Sequence, residues 1–424
     1  MNLYIHFPFC RRKCSYCALY SRVGSSADAR RQYIESIRVA LESLRVELGS
    51  IRVNQGSIRV NQGSIRVDQG SDGVLSPLTI YFGGGSPALC DLAPLRDALH
   101  TLLAPTRPYP TLSDPTRPYP TLSDPIRPYQ TLSDPTRPYP TLSDPIRPYQ
   151  TLSDPIRPYP TLPDPISPEF TVELHPLDVT SAKLDELKSI GVNRISMGVQ
   201  SLDDATLRAM GRGYTADDAA RAFALVKSRF DNAGIDLILG YPGDPTTTNA
   251  EALLAPLANW GLRHCSVYSL QNERGLKNVP DDDTVLDGIR AASRFLKSIG
   301  LSRYEISNYA APGFECRHNM AVWRGEDYIG LGDGAYGRIG LKRTRGTKGG
   351  YETSEVSPAE DLKERTIFRL RTREGLDASR FPEWIPPLER FVAEGLLVKP
   401  GEGSIYRLTE RGTEVCDAIL EDIV

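Results

Sequence analysis

Short apolar, β-rich runs alternate with amphipathic stretches along most of the chain. The alternation predicts strands at Leu3–Phe7, Leu78–Phe82, Phe170–Leu174, Arg194–Val199, Ile235–Leu239 and Cys265–Leu270. Helical periodicity follows each run, at Ala27–Leu48, Leu92–Leu103, Ser181–Ile190, Ala216–Arg229, Thr247–Trp260 and Asp282–Ile299. Six β-then-α units imply a parallel sheet with right-handed crossovers. An open six-unit (β/α) barrel and a doubly wound sheet both fit this count, and the barrel is the expected α/β fold. In either, chemistry gathers at the carboxyl ends of the strands. The cysteines after the first strand, the glycines after the second and Glu173 near the end of the third stand there.

The texture changes after Gly350. Pro358 to Arg373 and Pro387 to Glu394 read as helices, and Gly395–Val398 with Ile405–Leu408 as a hairpin. The expected organisation is a barrel over residues 1–350 and a small winged-helix-like α+β domain over 351–424. Glutamates at 389, 394, 402, 410, 414 and 421 among the basic residues of that tail favour a structural or protein-docking role over nucleic-acid binding.

Two tandem repeats interrupt the pattern. A heptapeptide of the SIRVNQG type runs from Ser50 to Gly70, and a decapeptide of the DPTRPYPTLS type fills Ala104 to Pro163. Glycine at every seventh place argues against a coiled coil in the first. Proline density forbids helix and interior strand in the second and favours extended, polyproline-like chain. A packed repeat array needs end repeats that differ as caps. Near-identical copies instead suggest expanded surface loops, which cost little to lengthen.

Composition adds constraints more than identity. A net charge of −3 gives no electrostatic case for a nucleic-acid partner. No run of about 18 apolar residues predicts a transmembrane segment, and a strand at the very start leaves no expected signal peptide. Seven cysteines are an odd number, and three crowd between positions 10 and 17. That distribution points to metal ligation in a reducing compartment, with the cytoplasm as the expected location.

Cys10-Arg-Arg-Lys-Cys14-Ser-Tyr-Cys17 is a CxxxCxxC motif. Thiolates at this spacing can supply three ligands to a [4Fe–4S] cluster, leaving one iron for an outside group. Zinc with His6 as the fourth ligand is the alternative. Gly83-Gly84-Gly85-Ser86-Pro87 follows the second strand; it lets backbone approach a ligand closely but lacks the spacing and lysine of a P-loop.

Together with the cysteines, the segments LYIHFPFCRRKCSYCALYS, YFGGGSP and VNRISMGVQS resemble the oxygen-independent coproporphyrinogen III oxidase family of radical S-adenosylmethionine (SAM) proteins. GIDLILGYPGD and ECRHNMAVW resemble its haem-chaperone branch. The resemblance spans nearly everything outside the repeats. It implies a [4Fe–4S] cluster on Cys10, Cys14 and Cys17, with Tyr4 and Tyr16 as the aromatic residues beside it. It also implies a SAM pocket of Gly84, Gly85, Ser86, Glu173, Gln200, Arg212 and Asp236, with Ser86 in place of the family's more usual threonine. Read by residue type alone, Glu173 and Gln200 are buried strand-end polar groups and Arg212 a surface helix charge.

Two features separate the branches. The oxidase branch carries a further cysteine two residues beyond the last cluster ligand, where this chain has Leu19. It also has a long arm before the motif, where this chain has nine residues. The chaperone branch has an HNxxYW motif whose histidine is taken to bind haem. Here it is His318-Asn-Met-Ala-Val322-Trp323, with valine for tyrosine, and Tyr336 stands where the family usually has histidine. The implied function is a haem carrier that delivers haem to recipient haemoproteins, with His318 as an axial ligand or, blandly, a hydrogen-bonded turn residue. Oxidative decarboxylation of coproporphyrinogen III, a porphyrinogen, is the enzymatic alternative, and radical chemistry on another substrate, such as methyl transfer, is a third.

Overall fold

The computed structural model describes residues 2–51, 58–60, 63–65, 79–103, 168–348 and 350–423. The decapeptide repeat lies outside them, as does most of the heptapeptide repeat. Of the latter, Ile58–Val60 and Gly63–Ile65 form a two-stranded antiparallel ribbon.

The six expected strands are present as β1 (Asn2–Phe7), β2 (Thr79–Gly84), β3 (Glu169–Leu174), β4 (Arg194–Gln200), β5 (Ala233–Leu239) and β6 (His264–Ser269). They pair in parallel in strict chain order. The helices between them are α1 (Ala27–Ile51), α2 (Arg96–Leu103), α3 (Ser181–Ser189), α4 (Asp204–Ala209), α5 (Ala216–Lys227) and α6 (Thr246–Leu254), with α7 (Asp282–Ser298) after β6. Only α4 is absent from the periodicity, being too short to show an amphipathic pattern.

Side-chain alternation and the unbroken strand order fit an open barrel and not a doubly wound sheet. Leu3, Ile5 and Phe7, Ile80 and Phe82, Phe170 and Val172, and Ile195, Met197 and Val199 face the helices in one apolar core. Leu184 and Leu187 of α3 sit in that core, each contributing about 2 kcal/mol by burial. The opposite face is polar: Thr79, Thr171, Arg194, Ser196, His264 and Ser266 are all nearly inaccessible. A doubly wound sheet reverses its strand order and puts helices on both faces. Here the order never reverses, so right-handed crossovers place α2 to α6 on one side, and the polar face is buried by curling on itself.

The sheet continues past both ends of the six strands. β7 (Asn308–Ala310) runs antiparallel to β6. β8 (Tyr328–Leu331) lies parallel to β1 on its other edge, and β9 (Tyr336–Ile339), β10 (Lys342–Thr347) and β11 (Gly350–Glu355) follow as an antiparallel meander. The chain expected to separate the two domains at residue 350 thus falls inside β11, because all six residues of that strand pair with β10. Beyond it, α9 (Pro358–Leu370), β12 (Leu376–Asp377), α10 (Ile385–Ala393), β13 (Leu397–Val398), β14 (Ile405–Leu408) and α11 (Cys416–Ile423) surround a second core that includes Leu370, Trp384, Leu388, Tyr406 and Leu420. The expected hairpin is there, with Leu397 opposite Leu408. Ser357 opens α9 with a full capping box to Glu360.

Candidate cofactor site

Past β1 the chain makes a two-residue parallel pairing, Phe9–Cys10 with Arg22–Val23, that closes the base of a loop carrying Cys14 and Cys17. All three cysteines are free and half-buried. Burial pushes the Cys10 thiol up, and repulsion from Cys17 and Cys14 adds to it, so the three sulfurs share one neighbourhood. Among the described residues no three His, Cys, Asp or Glu side chains converge on one point as a single metal ion requires. A cuboidal cluster takes its thiolates on separate irons. His6, the fourth ligand of the zinc alternative, has both ring nitrogens engaged: Nδ1 accepts from the Tyr4 hydroxyl (3.0 Å) and Nε2 donates to Tyr20 O (2.9 Å).

Loops from the carboxyl ends of the strands hold this cysteine loop. After β2, Gly85 N–H donates to Phe7 O (2.6 Å) and Ser86 N–H to Phe9 O (2.7 Å). A Cβ on Gly85 would stand 2.5 Å from Phe9 O and 3.0 Å from Cys10 Sγ, and one on Gly84 (φ +102°) would strike the His6 ring at 2.4 Å. The glycines therefore buy close approach of two loops. After β3, buried Asp178 accepts from Arg11 Nε (2.6 Å) and from the Ser86 hydroxyl. After β5, Tyr241 donates to Ala209 O (2.8 Å) and meets Ser15 Oγ (2.9 Å). After β6, Arg274 Nη1 lies 3.4 Å from both Cys14 O and Cys17 O. After β8, Asp333 pairs with Arg22.

Arg212 is no surface charge. Its guanidinium is buried, donating to Tyr214 (2.9 Å) and Gly198 O (2.7 Å), with Nη1 3.4 Å from both Cys14 Sγ and the Tyr16 hydroxyl. It thus sets a positive charge against one thiol and positions Tyr16 beside it. Tyr4 lies elsewhere, inside the barrel, with its ring 6.1 Å from Tyr81 and 6.3 Å from His318.

Deeper in the barrel, Glu173 accepts from the Tyr81 hydroxyl (2.8 Å) and Gly84 N–H (3.1 Å). Burial, then the nearby Asp236 charge, pushes its carboxyl up to about 7. Asp236 is raised too, by burial, although Ser196 donates to it at 3.0 Å. Gln200 ends β4 after a bulge with φ +72°, a left-handed conformation that is strained for glutamine. Its amide folds over Gly198, where a Cβ would stand 2.6 Å from Nε2. Glu173, Gln200, Arg212 and Asp236 thus gather at the carboxyl-end mouth, whereas the Ser86 hydroxyl is already spent on Asp178.

His318 sits at the other end. It lies on α8 (Arg317–Trp323), whose first N–H groups, those of Arg317 and His318, both donate to the Glu169 carboxylate at 3.0 Å. Its ring is buried, 5.1 Å from Tyr81, with Nδ1 2.9 Å from Thr79 Oγ1. Burial, then the Arg194 charge, pushes the imidazole down to about 3. The ring is turned inward and held through Nδ1 on Thr79. Leu19 and Tyr336 are exposed. Sequence reasoning missed Asp178, Tyr241, Arg274 and Arg194; strand alternation marks Arg194 as inward-facing, but nothing local marks the three loop residues.

The radical SAM superfamily model matches residues 165–252. The heme chaperone HemW of Bacillus subtilis is 31% identical over 292 residues, covering 60% of this chain and 76% of that protein. HemW of Synechocystis is 33% identical over 50% of this chain and 58% of its own length. The mouse mitochondrial radical S-adenosyl methionine domain-containing protein 1 is 31% identical over 55% and 54%. Among solved structures, the coproporphyrinogen III oxidase HemN of Escherichia coli superposes with a TM-score of 0.64 at 17% identity, over 99% of this chain and 89% of that one, a likeness of fold. Radical SAM proteins use SAM and a [4Fe–4S] cluster, and three half-buried thiols braced by barrel loops fit that equipment. The chain belongs to the radical SAM superfamily and, within it, to the family of the heme chaperone HemW.

Proposed function

We propose that the protein binds haem and passes it to recipient haemoproteins, while carrying a [4Fe–4S] cluster on Cys10, Cys14 and Cys17. SAM is assigned to the mouth formed by Gly84, Gly85, Glu173, Gln200, Arg212 and Asp236. The observation that carries this reading is the match to heme chaperone HemW along 76% of that protein's length. Bound together, cluster and SAM supply one-electron chemistry at a sulfonium. The protein's own part is to place Arg212 against the Cys14 sulfur, to hold Glu173 and Asp236 as acceptors for ribose or amino hydrogens, and to keep the glycine turn slim enough for close backbone contact. Ser86 serves by bracing the turn on Asp178. The tail beyond Ser357, with its separate core, is assigned a structural or docking role.

Anaerobic reconstitution, followed by haem titration and a parallel coproporphyrinogen III turnover assay, tests the reading. Haem binding without turnover is expected; turnover with SAM cleavage would put the oxidase reading first. As an axial ligand His318 would act through Nε2, with Nδ1 held on Thr79. His318→Ala should then weaken haem binding while leaving iron–sulfur absorbance unchanged. Equal affinity in the two proteins would leave His318 with its sealing role alone.

A further inference from the structure

Charge around the cysteine loop is one-sided. Arg11, Arg12, Lys13 and Arg22 are the only Lys and Arg before Asp28, and no Asp or Glu precedes it, although the whole chain is net acidic. Arg11 and Arg22 are answered by Asp178 and Asp333. Arg12, Lys13 and Arg274 are exposed and form no ion pair among the described residues. Lys13 Nζ donates to the Leu19 carbonyl (2.6 Å) and the Ser21 hydroxyl (2.8 Å). Arg274 reaches the Cys14 and Cys17 carbonyls, and Arg12 lies beside Gly211, where a Cβ would stand 3.6 Å from its guanidinium. All three cations thus stand around the half-buried thiols. Glu273 is the acid next to Arg274 on its loop. Beside Lys13 the surface is apolar: Leu19 is 54% exposed and Tyr20 43%.

Counter-charge for the cluster accounts for only part of this. Three thiolates on an oxidised core leave about one negative charge, and buried Arg212 already stands against Cys14. Arg12, Lys13 and Arg274 exceed that demand and face solvent. The cluster can pass an electron to bound SAM only after receiving one from outside. We infer that the cysteine loop is the docking surface for an acidic one-electron carrier protein, an assignment that rests on the cluster reading above. Opposite charge steers the encounter and sets its orientation. The small apolar contact of Leu19 and Tyr20 suits the small interface of a transient redox encounter. Closeness to the thiols favours a carrier over an anionic membrane, which gains nothing from it. In the step, an anionic flavin hydroquinone on the carrier gives up one electron and becomes the neutral semiquinone. The oxidised cluster takes that electron, and no proton moves.

The test uses the reconstituted full chain, with flavodoxin as the acidic carrier. Binding is read by calorimetric titration with oxidised flavodoxin, and reduction by stopped-flow loss of iron–sulfur absorbance with its hydroquinone. Raising ionic strength from about 0.01 M to about 0.15 M shortens the screening length from about 30 Å to about 8 Å. Wild-type affinity should fall about tenfold over that range. At low salt Arg12→Glu should bind about fivefold more weakly and be reduced more slowly by flavodoxin, whereas Arg12→Lys should match wild type. Iron content, and the extent of reduction by excess titanium(III) citrate, should be the same in all three. Should Arg12→Glu fail to fold, Arg12→Gln should weaken binding about twofold. Absent or salt-independent binding by wild type, or equal binding by Arg12→Glu, would overturn the surface and leave the cluster reading intact. Lower iron content in Arg12→Glu, with flavodoxin binding unchanged, would assign the cations to the cluster alone. Salt-dependent flavodoxin binding without any iron–sulfur absorbance would sink the cluster reading and keep the surface. Tighter binding to phosphatidylserine vesicles than to flavodoxin would make the partner an anionic membrane and overturn the carrier.

Discussion

The two ends of the barrel are made from the same inward-facing polar rows and use them in opposite ways. At the amino end, Glu169 caps α8, Thr79 bonds both Asn2 and His318, and Tyr304 bonds His264. Most of those groups pair with one another, although Arg194 Nε and His264 Nδ1 are left without a partner. At the carboxyl end the thiols stay half-buried and unbonded to one another, Gln200 is held in a strained conformation, and two carboxyls are kept above their ordinary range. The difference separates stability from reactivity. Groups satisfied by the fold hold it; groups the fold leaves wanting are those a cofactor can engage.

The largest break in that comparison is at the open end. Cys10→Ala, Cys14→Ala and Cys17→Ala should each take bound iron from about four atoms per chain to none, read by iron analysis and visible absorbance after anaerobic reconstitution. Tightly bound zinc in the wild type, without iron–sulfur absorbance, would contradict the cluster assignment.

At the sealed end the effect should fall on stability. Glu169→Ala leaves two buried N–H groups without an acceptor and should cost about 3 kcal/mol, measured by denaturant unfolding. Iron loading should survive. Loss of iron with unchanged stability would show the ends are not separable.

Glu173 allows a pH measurement. Its folded carboxyl is raised from about 4.5 to about 7, by burial first. Below about 4.5 both folded and unfolded forms are protonated. Between about 4.5 and about 7 the unfolded chain ionises while the folded one does not, so stability falls as pH rises through that window and levels above it. Glu173→Gln should remove this part of the slope, making the cofactor-free protein more stable than wild type above pH 7, by on the order of 3 kcal/mol. Parallel stability curves for the two proteins would mean that Glu173 ionises normally.

The smallest effect is expected from the repeats. Deleting Thr106–Tyr159 removes chain that joins α2 to β3, and loop closure depends only logarithmically on length. Iron loading should be unchanged and stability should shift by less than about 1 kcal/mol. Loss of soluble protein would show that the repeat packs as part of the fold.

Strand positions, helix positions and the cysteine motif were legible because each rests on local periodicity or spacing: Leu3–Phe7 reads as a strand wherever it stands, and CxxxCxxC carries its chemistry in its intervals. The choice of an open barrel over a doubly wound sheet was not local, since it depends on which strands pair. Arg212 illustrates the limit: beside Gly211 and Gly213 it reads as a surface charge, and only the packing of the α4–α5 turn on the cysteine loop buries it against Cys14. His318 illustrates it in reverse, as a motif residue whose ring the fold turns inward to Thr79. Asp178, Tyr241 and Arg274 act across more than a hundred residues of sequence, through contacts no pattern encodes. Sequence determined the elements and the cysteine spacing because backbone propensity and motif intervals are short-range. Tertiary structure decided which polar groups were satisfied and which were left open, because burial and hydrogen-bond partners are set by residues brought together from distant parts of the chain.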